Sequence, residues 1–203
     1  VEDNNRTTTK VIYSKNGDGS LKKNKAGDPI VLRTQTVTSK VILPAKKIQV
    51  VYRSDSSGTT ENFTNYLNKS APSVWTKAKA AVFKDSFPGN INDVANLGRI
   101  VGASSSSGVA LQAGKTPYSI TYAEVNYAKA NKLKVANVIN PAGASVVPDS
   151  TGTSAFLAQA AQDASGFLTF DFATKEKGAY TLGIVSYLLA DTKYPDPAKA
   201  EAV

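Results

Sequence analysis

From Ile48 onward, short apolar runs alternate with amphipathic runs, and this alternation restricts the fold more than any other feature. IQVVYR, beginning at Ile48, is apolar and β-branched, as a short buried strand requires. After a Ser/Gly-rich turn, TENFTNYLNK sets Phe63, Tyr66 and Leu67 at helical spacing. SAPSVWTKAKAAVF predicts a second helix, with Ser70 or Ser73 near its start and Trp75, Ala78 and Val82 on one face. INDVANLGRIVG predicts a short helix or turn and then a small strand, and SSSSGVALQAG a helix ending near Gly114. A strand over Ser119 to Tyr122, an alanine-rich helix and a short strand in VANVIN continue the series. SAFLAQAAQDA predicts a helix capped by Thr151, Thr153 or Ser154. AYTLGIVSYLLA reads as a buried strand split by Gly183. Strands alternating with helices imply an α/β layer architecture.

The first 47 residues have a different texture. A strand in TKVIY leads to a tight turn at Asn16-Gly17-Asp18-Gly19 and a polar return, with Gly17 and Gly19 able to supply positive φ. A second extended run, rich in Val and Thr, spans Ile30 to Leu43 and is closed by Pro44. The sequence therefore predicts a β-rich segment, 1–47, packed on or beside an α/β lobe, 48–203. At the far end, Asp196 suits a helix cap and Pro197 a first turn, and the pattern still runs at Val203, so the lobe reads as truncated there.

Composition removes whole classes of chemistry. There is no histidine and no cysteine among the 203 residues, so no Ser-His-Asp triad, Cys-His pair, disulfide or His/Cys metal site can be built. The expectation is a non-catalytic protein without cofactor or metal. No apolar run approaches the roughly 20 residues that cross a bilayer. A first residue of Val1 and no methionine point to a cleaved export signal or a piece of a longer chain, and with the missing cysteines to an extracytoplasmic bacterial protein. The net charge of +8 suits anionic partners, but no aromatic side chains interleave with Lys22, Lys23 and Lys25, which argues against nucleic acid.

The segment that carries chemistry is Arg53 to Thr60, RSDSSGTT. Its Ser/Gly segment presents backbone N–H groups at the start of a helix, where unpaired donors and the positive end of the helix dipole favour an oxyanion. Ser54, Ser56, Ser57, Thr59 and Thr60 add hydroxyls, and Arg53 can pair with a tetrahedral oxyanion through two N–H groups. Asp55 is placed to orient Arg53 or to cap the helix. The alternative is an ordinary strand-to-helix turn with Ser or Asp as its cap. Ser104 to Ser107 form a second candidate nest, better read as a polar cap cluster, and Tyr118, Tyr122, Tyr127 and Trp75 read as packing residues.

RSDSSGTTENFTNYL resembles the signature of the phosphate-binding proteins of ABC-type phosphate uptake systems. GVALQAGKTPYSITYAEVNYAKANKL, INPAGASVVPDS and KYPDPAKAEAV resemble further segments of that family in the same order, so the resemblance covers about residues 43–203. It implies one lobe of a type II periplasmic-binding-protein fold, a mixed sheet flanked by helices. It also implies inorganic phosphate as ligand, an ABC transporter permease as partner and a location outside the cytoplasm. Carried across, Arg53 is the charged ligand; Ser57, Gly58 and Thr59 supply hydroxyl and backbone donors; Asp55 holds Arg53, and Thr60 supports. Ser56 stands where the family usually has glycine, and SSSSGVA replaces a Lys-Gly-Asn-type stretch. AYTLGIVSY lacks a Tyr-Pro-Ile. The motifs of the opening lobe are missing from the 203 residues, which leaves half a site. A cell-surface structural or adhesive module derived from the family is the alternative.

Overall fold

The computed structural model describes residues 5–40, 44–187, Lys193 and Ala198. The chain divides into two compact units, Val1–Lys46 and Lys47–Val203.

The first unit is built on two antiparallel strands, β1 (Asn5–Tyr13) and β2 (Val31–Lys40), in a register that sets Thr9 opposite Thr36 and Val11 opposite Thr34. The polar return after Asn16 is not the partner of β1, contrary to the sequence reading. It makes only isolated bridges, Lys15 to Leu21 and Lys23 to Pro29. Side chains explain the difference. Asp18 Oδ1 accepts from Ser20 N at 2.9 Å, and Asn24 Oδ1 accepts from Ala26 N and Asp28 N at 2.9 Å. These local turns compete with a ladder, and Gly19 and Gly27 supply their positive φ of 85° and 92°. The true partner is the Val/Thr-rich run. Its expected last residues, 41–43, lie outside the described residues.

The second unit is organised by β3 (Gln49–Arg53), the middle strand of a three-stranded parallel sheet between β4 (Ile100–Ala103) and β5 (Ser119–Thr121). Val51 pairs with Val101 on one side and Thr121 on the other. Side chains alternate across a strand, and both faces of β3 are used. Val51 is fully buried with Val109 and Ala113 of α3 (Ser105–Lys115). Tyr52 joins Phe83 and Tyr122 in a second cluster, rimmed by Phe63, Trp75 and Phe87. Burying a side chain the size of Val51 contributes about 2 kcal/mol. A third cluster, Phe156, Phe172 and Ala179, lies farther along the chain, with Tyr66 and Phe170 against it.

Helix α1 (Gly58–Ser70) follows β3, as the Phe63/Tyr66/Leu67 spacing predicts. The helix expected over 70–83 does not form. That stretch is a turn and an irregular segment ending in a four-residue helix, α2 (Phe83–Ser86). Side chains of α1 and α2 claim it instead. The Thr64 hydroxyl lies 3.1 Å from Ala80 N and 3.2 Å from Ala80 O, and Asn68 Nδ2 donates to Trp75 O and Lys77 O at 3.1 Å. Trp75 Nε1 donates to Ser86 Oγ at 2.9 Å. Intrinsic helix propensity is a weak prior against such tertiary partners.

After α4 (Val125–Ala130) come a small hairpin, β6 (Val138–Ile139) and β7 (Ser145–Val146), and then α5 (Ser150–Leu157). The cap of α5 is Asp149, whose Oδ1 accepts from Gly152 N at 2.7 Å, and not Thr151, Thr153 or Ser154. A second hairpin, β8 (Ala161–Gln162) and β9 (Leu168–Thr169), precedes the last apolar run. Over 179–187 that run is not the expected strand. Ala179, Tyr180 and Thr181 are buried, and Tyr180 N donates to Gly152 O of α5 at 2.9 Å. The segment packs on a helix rather than a sheet edge. Residues 188–190, and the cap expected at Asp196 and Pro197, lie outside the described residues.

Candidate functional site

In a parallel sheet, the loops that follow the strands gather at one edge, where α/β proteins commonly hold ligands. Here Arg53 ends β3, Ser104 to Ser106 follow β4, and Tyr122 to Glu124 follow β5. The structure brings these three segments together, although 69 or more residues separate Arg53 from Tyr122 and Glu124 in sequence.

Arg53 is buried and heavily engaged. Its Nε donates to Asp55 Oδ1 at 2.8 Å, its Nη2 to Asp55 Oδ2 at 2.6 Å and its Nη1 to Ser106 Oγ at 3.0 Å. This is the fork-to-fork geometry that fixes a guanidinium in a plane, and the fork has more N–H donors than these contacts use. The backbone helps. Arg53 N donates to the Tyr122 hydroxyl at 3.2 Å, and that hydroxyl lies 2.8 Å from Thr60 Oγ1. Asp55 Oδ1 also accepts from Ser105 N at 3.0 Å.

The Arg53 guanidinium beside it holds the Asp55 carboxyl well below the usual carboxylate range. Reciprocally, the Asp55 hydrogen bond raises the Arg53 pKa against the opposing effect of burial. Burial pushes the Tyr122 phenol up, against its hydrogen bonds with Thr60 and Arg53.

Ser57 is the cap of α1. Its backbone is extended, and its Oγ accepts from Thr59 N at 3.1 Å and Thr60 N at 3.4 Å. A hydroxyl that accepts in this way keeps its own proton to donate. Gly58 N makes no hydrogen bond among the described residues. Ser56, in the position the family usually gives to glycine, does not adopt positive φ, so serine fits this turn without strain. The strained residue is Ser105, with φ of 65°, at the start of α3. Its amide faces Asp55, and its Oγ accepts from Gly108 N at 3.2 Å. The serine run thus acts as a cap and a brace for the arginine pair.

Three residues of this edge were not assigned site roles in the sequence reading: Ser106, Tyr122 and Glu124. Thr59 Oγ1 donates to Glu124 Oε1 at 2.6 Å. Burial pushes the Glu124 carboxyl up, but hydrogen bonds from Thr59 and its own backbone amide, the nearby Ser106 hydroxyl and the Arg53 charge hold it below its ordinary value. One signal was available for Glu124: it lies three residues after the end of a parallel strand. A cleft of about 990 Å³ opens beside Gly58, Thr59 and Glu124 and runs past Asn65 to Phe172 and Tyr187. A smaller one, about 630 Å³, also borders Thr59 and Glu124 and is lined by Phe63, Tyr122 and Tyr180. Arg53, Asp55 and Ser57 line neither. Among the described residues, no group of His, Cys, Asp and Glu is arranged to hold a metal, and no helix is long and apolar enough to cross a membrane.

A model of the PBP superfamily domain matches residues 12–203. The chain belongs to the PBP superfamily. The match to this superfamily begins well before Leu43 and so takes in most of the β1–β2 unit, which the sequence reading left outside the resemblance. Among curated relatives of this PBP-superfamily chain is the phosphate-binding protein PstS3 of Mycobacterium bovis, 32% identical over 175 residues, covering 83% of the chain and 44% of the relative. PstS 3 of Mycobacterium leprae is 31% identical over 182 residues, covering 87% and 45%. PstS of Methanocaldococcus jannaschii is 39% identical over 106 residues, covering 52% and 26%. The chain spans less than half the length of the curated relatives it matches.

Proposed function

We propose that this chain captures inorganic phosphate, without catalysis, at the N-terminus of α1, as part of an extracytoplasmic solute-binding protein that feeds an ABC transporter. The observation that carries the reading is the Arg53 guanidinium, buried at the carboxyl edge of the sheet and held in plane by Asp55 and Ser106. It stands five residues before Gly58, whose amide is unpaired at the head of α1. A buried, braced cation beside a helix N-terminus suits a tetrahedral anion. The names of the relatives agree with this chemistry. Arg53 supplies charge, Ser57 supplies a hydroxyl donor, and Gly58 and Thr59 supply amide donors. Asp55 fixes the arginine, and Thr60 anchors the helix start through Tyr122. An opening lobe from the rest of the parent protein completes the site.

Phosphate titration by calorimetry on the full-length protein tests the reading. Binding that falls at least about 100-fold in Arg53→Ala is the expected result. Absence of binding by the intact protein would overturn it and favour a structural or adhesive surface module.

A further inference from the structure

The connection between β1 and β2, Ser14 to Ile30, is folded rather than slack. Three backbone hydrogen bonds tie its passes together: Ser14 N donates to Ile30 O at 2.8 Å, Lys22 N to Ser14 O at 2.9 Å and Ile30 N to Lys22 O at 2.8 Å. With the bridges from Lys15 to Leu21 and from Lys23 to Pro29, they gather Lys15, Lys22 and Lys23 at one end of the hairpin, and Lys25 lies in the adjoining turn. All four lysines are exposed. Among the described residues, none of them is in an ion pair or a side-chain hydrogen bond. The two acids of the same stretch are committed to its turns. Asp18 Oδ1 accepts from Ser20 N at 2.9 Å and Ser20 Oγ at 2.6 Å, and Asp28 Oδ2 accepts from Asn24 Nδ2 at 3.3 Å. Lysines that blunt a sheet edge lie along its strands, whereas these four lie beyond both strands.

Free positive charge suits any polyanion, and the neighbouring side chains narrow the choice. Leu21, Ile30 and Leu32 are 39%, 42% and 65% exposed at the same end of the hairpin. Leu32 is the extra residue of a bulge, because Ile12 pairs with Arg33 and Tyr13 with Val31. The connection contains no aromatic residue and no arginine, so it lacks the stacking and bidentate groups that read nucleic acid. Aliphatic side chains set among lysines fit the boundary of an anionic bilayer. There the methyl groups enter the acyl edge, the lysine stems lie along it, and the ammonium groups meet lipid phosphates. We propose that the β1–β2 connection is a docking surface for anionic lipid headgroups and holds this unit against a membrane face. The proposal is independent of phosphate capture by Arg53.

The test is co-sedimentation of the full-length protein with two kinds of vesicle, phosphatidylcholine alone and phosphatidylcholine with about a third phosphatidylglycerol. The wild type should prefer the anionic vesicles, and the preference should fade as salt rises from ~0.1 to ~0.5 M. Each lysine at an anionic surface strengthens binding roughly fivefold, so K22Q/K23Q/K25Q should weaken binding to the anionic vesicles by about 100-fold. L21S/L32S should weaken it by at least about fivefold and leave the salt response in place. Equal wild-type binding to both vesicles overturns the proposal, as does a lysine variant that binds like the wild type. If soluble polyphosphate binds as tightly as the anionic vesicles and L21S/L32S changes neither, the surface belongs to a polyanion and the membrane reading falls. Should the lysine variant not fold, the wild type decides alone: a preference indifferent to salt overturns the proposal.

Discussion

Replacing Asp55 by asparagine isolates the ion pair that holds the edge together. The carboxylate takes two charge-assisted hydrogen bonds from Arg53, at 2.8 and 2.6 Å, and one from Ser105 N at 3.0 Å. Asparagine keeps one acceptor but sets an amide N–H₂ against an arginine N–H, so two donors face each other. Hydrogen bonds to charged groups contribute roughly 1.5–3 kcal/mol each. The Asp55 side chain is 35% exposed, however, while that of Arg53 is 10% exposed, and solvent screens part of the loss. The expected destabilisation is about 2–3 kcal/mol, read as a shift of the urea midpoint at unchanged slope. Acid behaviour adds a second signature. Because the folded pKa of Asp55 lies below its unfolded value near ~4, folded Asp55 binds fewer protons than unfolded Asp55 between those values. Its contribution is complete above pH ~4 and disappears as pH falls through the folded pKa. Asp55→Asn should therefore flatten the acid limb of the stability curve. A variant with wild-type stability and a wild-type acid limb would refute the assignment of the pair as a structural brace.

Thr64→Val keeps the shape of a fully buried residue but removes the hydroxyl shared by Glu61 O, Ala80 O and Ala80 N. A loss of roughly 1–3 kcal/mol is expected, with faster hydrogen exchange at Ala80 as the local check. Ser105→Gly relieves the positive φ but removes the hydroxyl that caps Gly108. These effects offset to within about 1 kcal/mol, whereas the β-branched Ser105→Val should cost about 2–3 kcal/mol in the same urea assay.

What could be read in advance divides along a physical line. β3 was legible because β-branched apolar residues in a row suit a strand buried on both faces, and Val51 and Tyr52 do occupy separate clusters. The start of α1 was legible because Ser57 and the apolar spacing are local signals. The segment from Ser70 to Val82 was not, since its conformation is set by Thr64, Asn68 and Ser86, which its own sequence does not contain. Asp149 was passed over as the α5 cap because three hydroxyl residues nearby satisfy the same local rule. At the site, Arg53 and Asp55 are two residues apart and could be paired from sequence. Glu124 and Ser106 reach them only because β5 and β4 flank β3.

The cap on α1 has a thermodynamic consequence for anything that enters the site. The amides of Thr59 and Thr60 already have an acceptor in Ser57 Oγ. A ligand oxygen that engages Thr59 N therefore exchanges one acceptor for another, and only the Gly58 amide gains a new bond. Exchange of this kind releases little heat from the helix itself. Halide or buffer anions that accept no better than an alcohol gain no advantage there. The same cap holds the first turn of α1 wound without any outside partner.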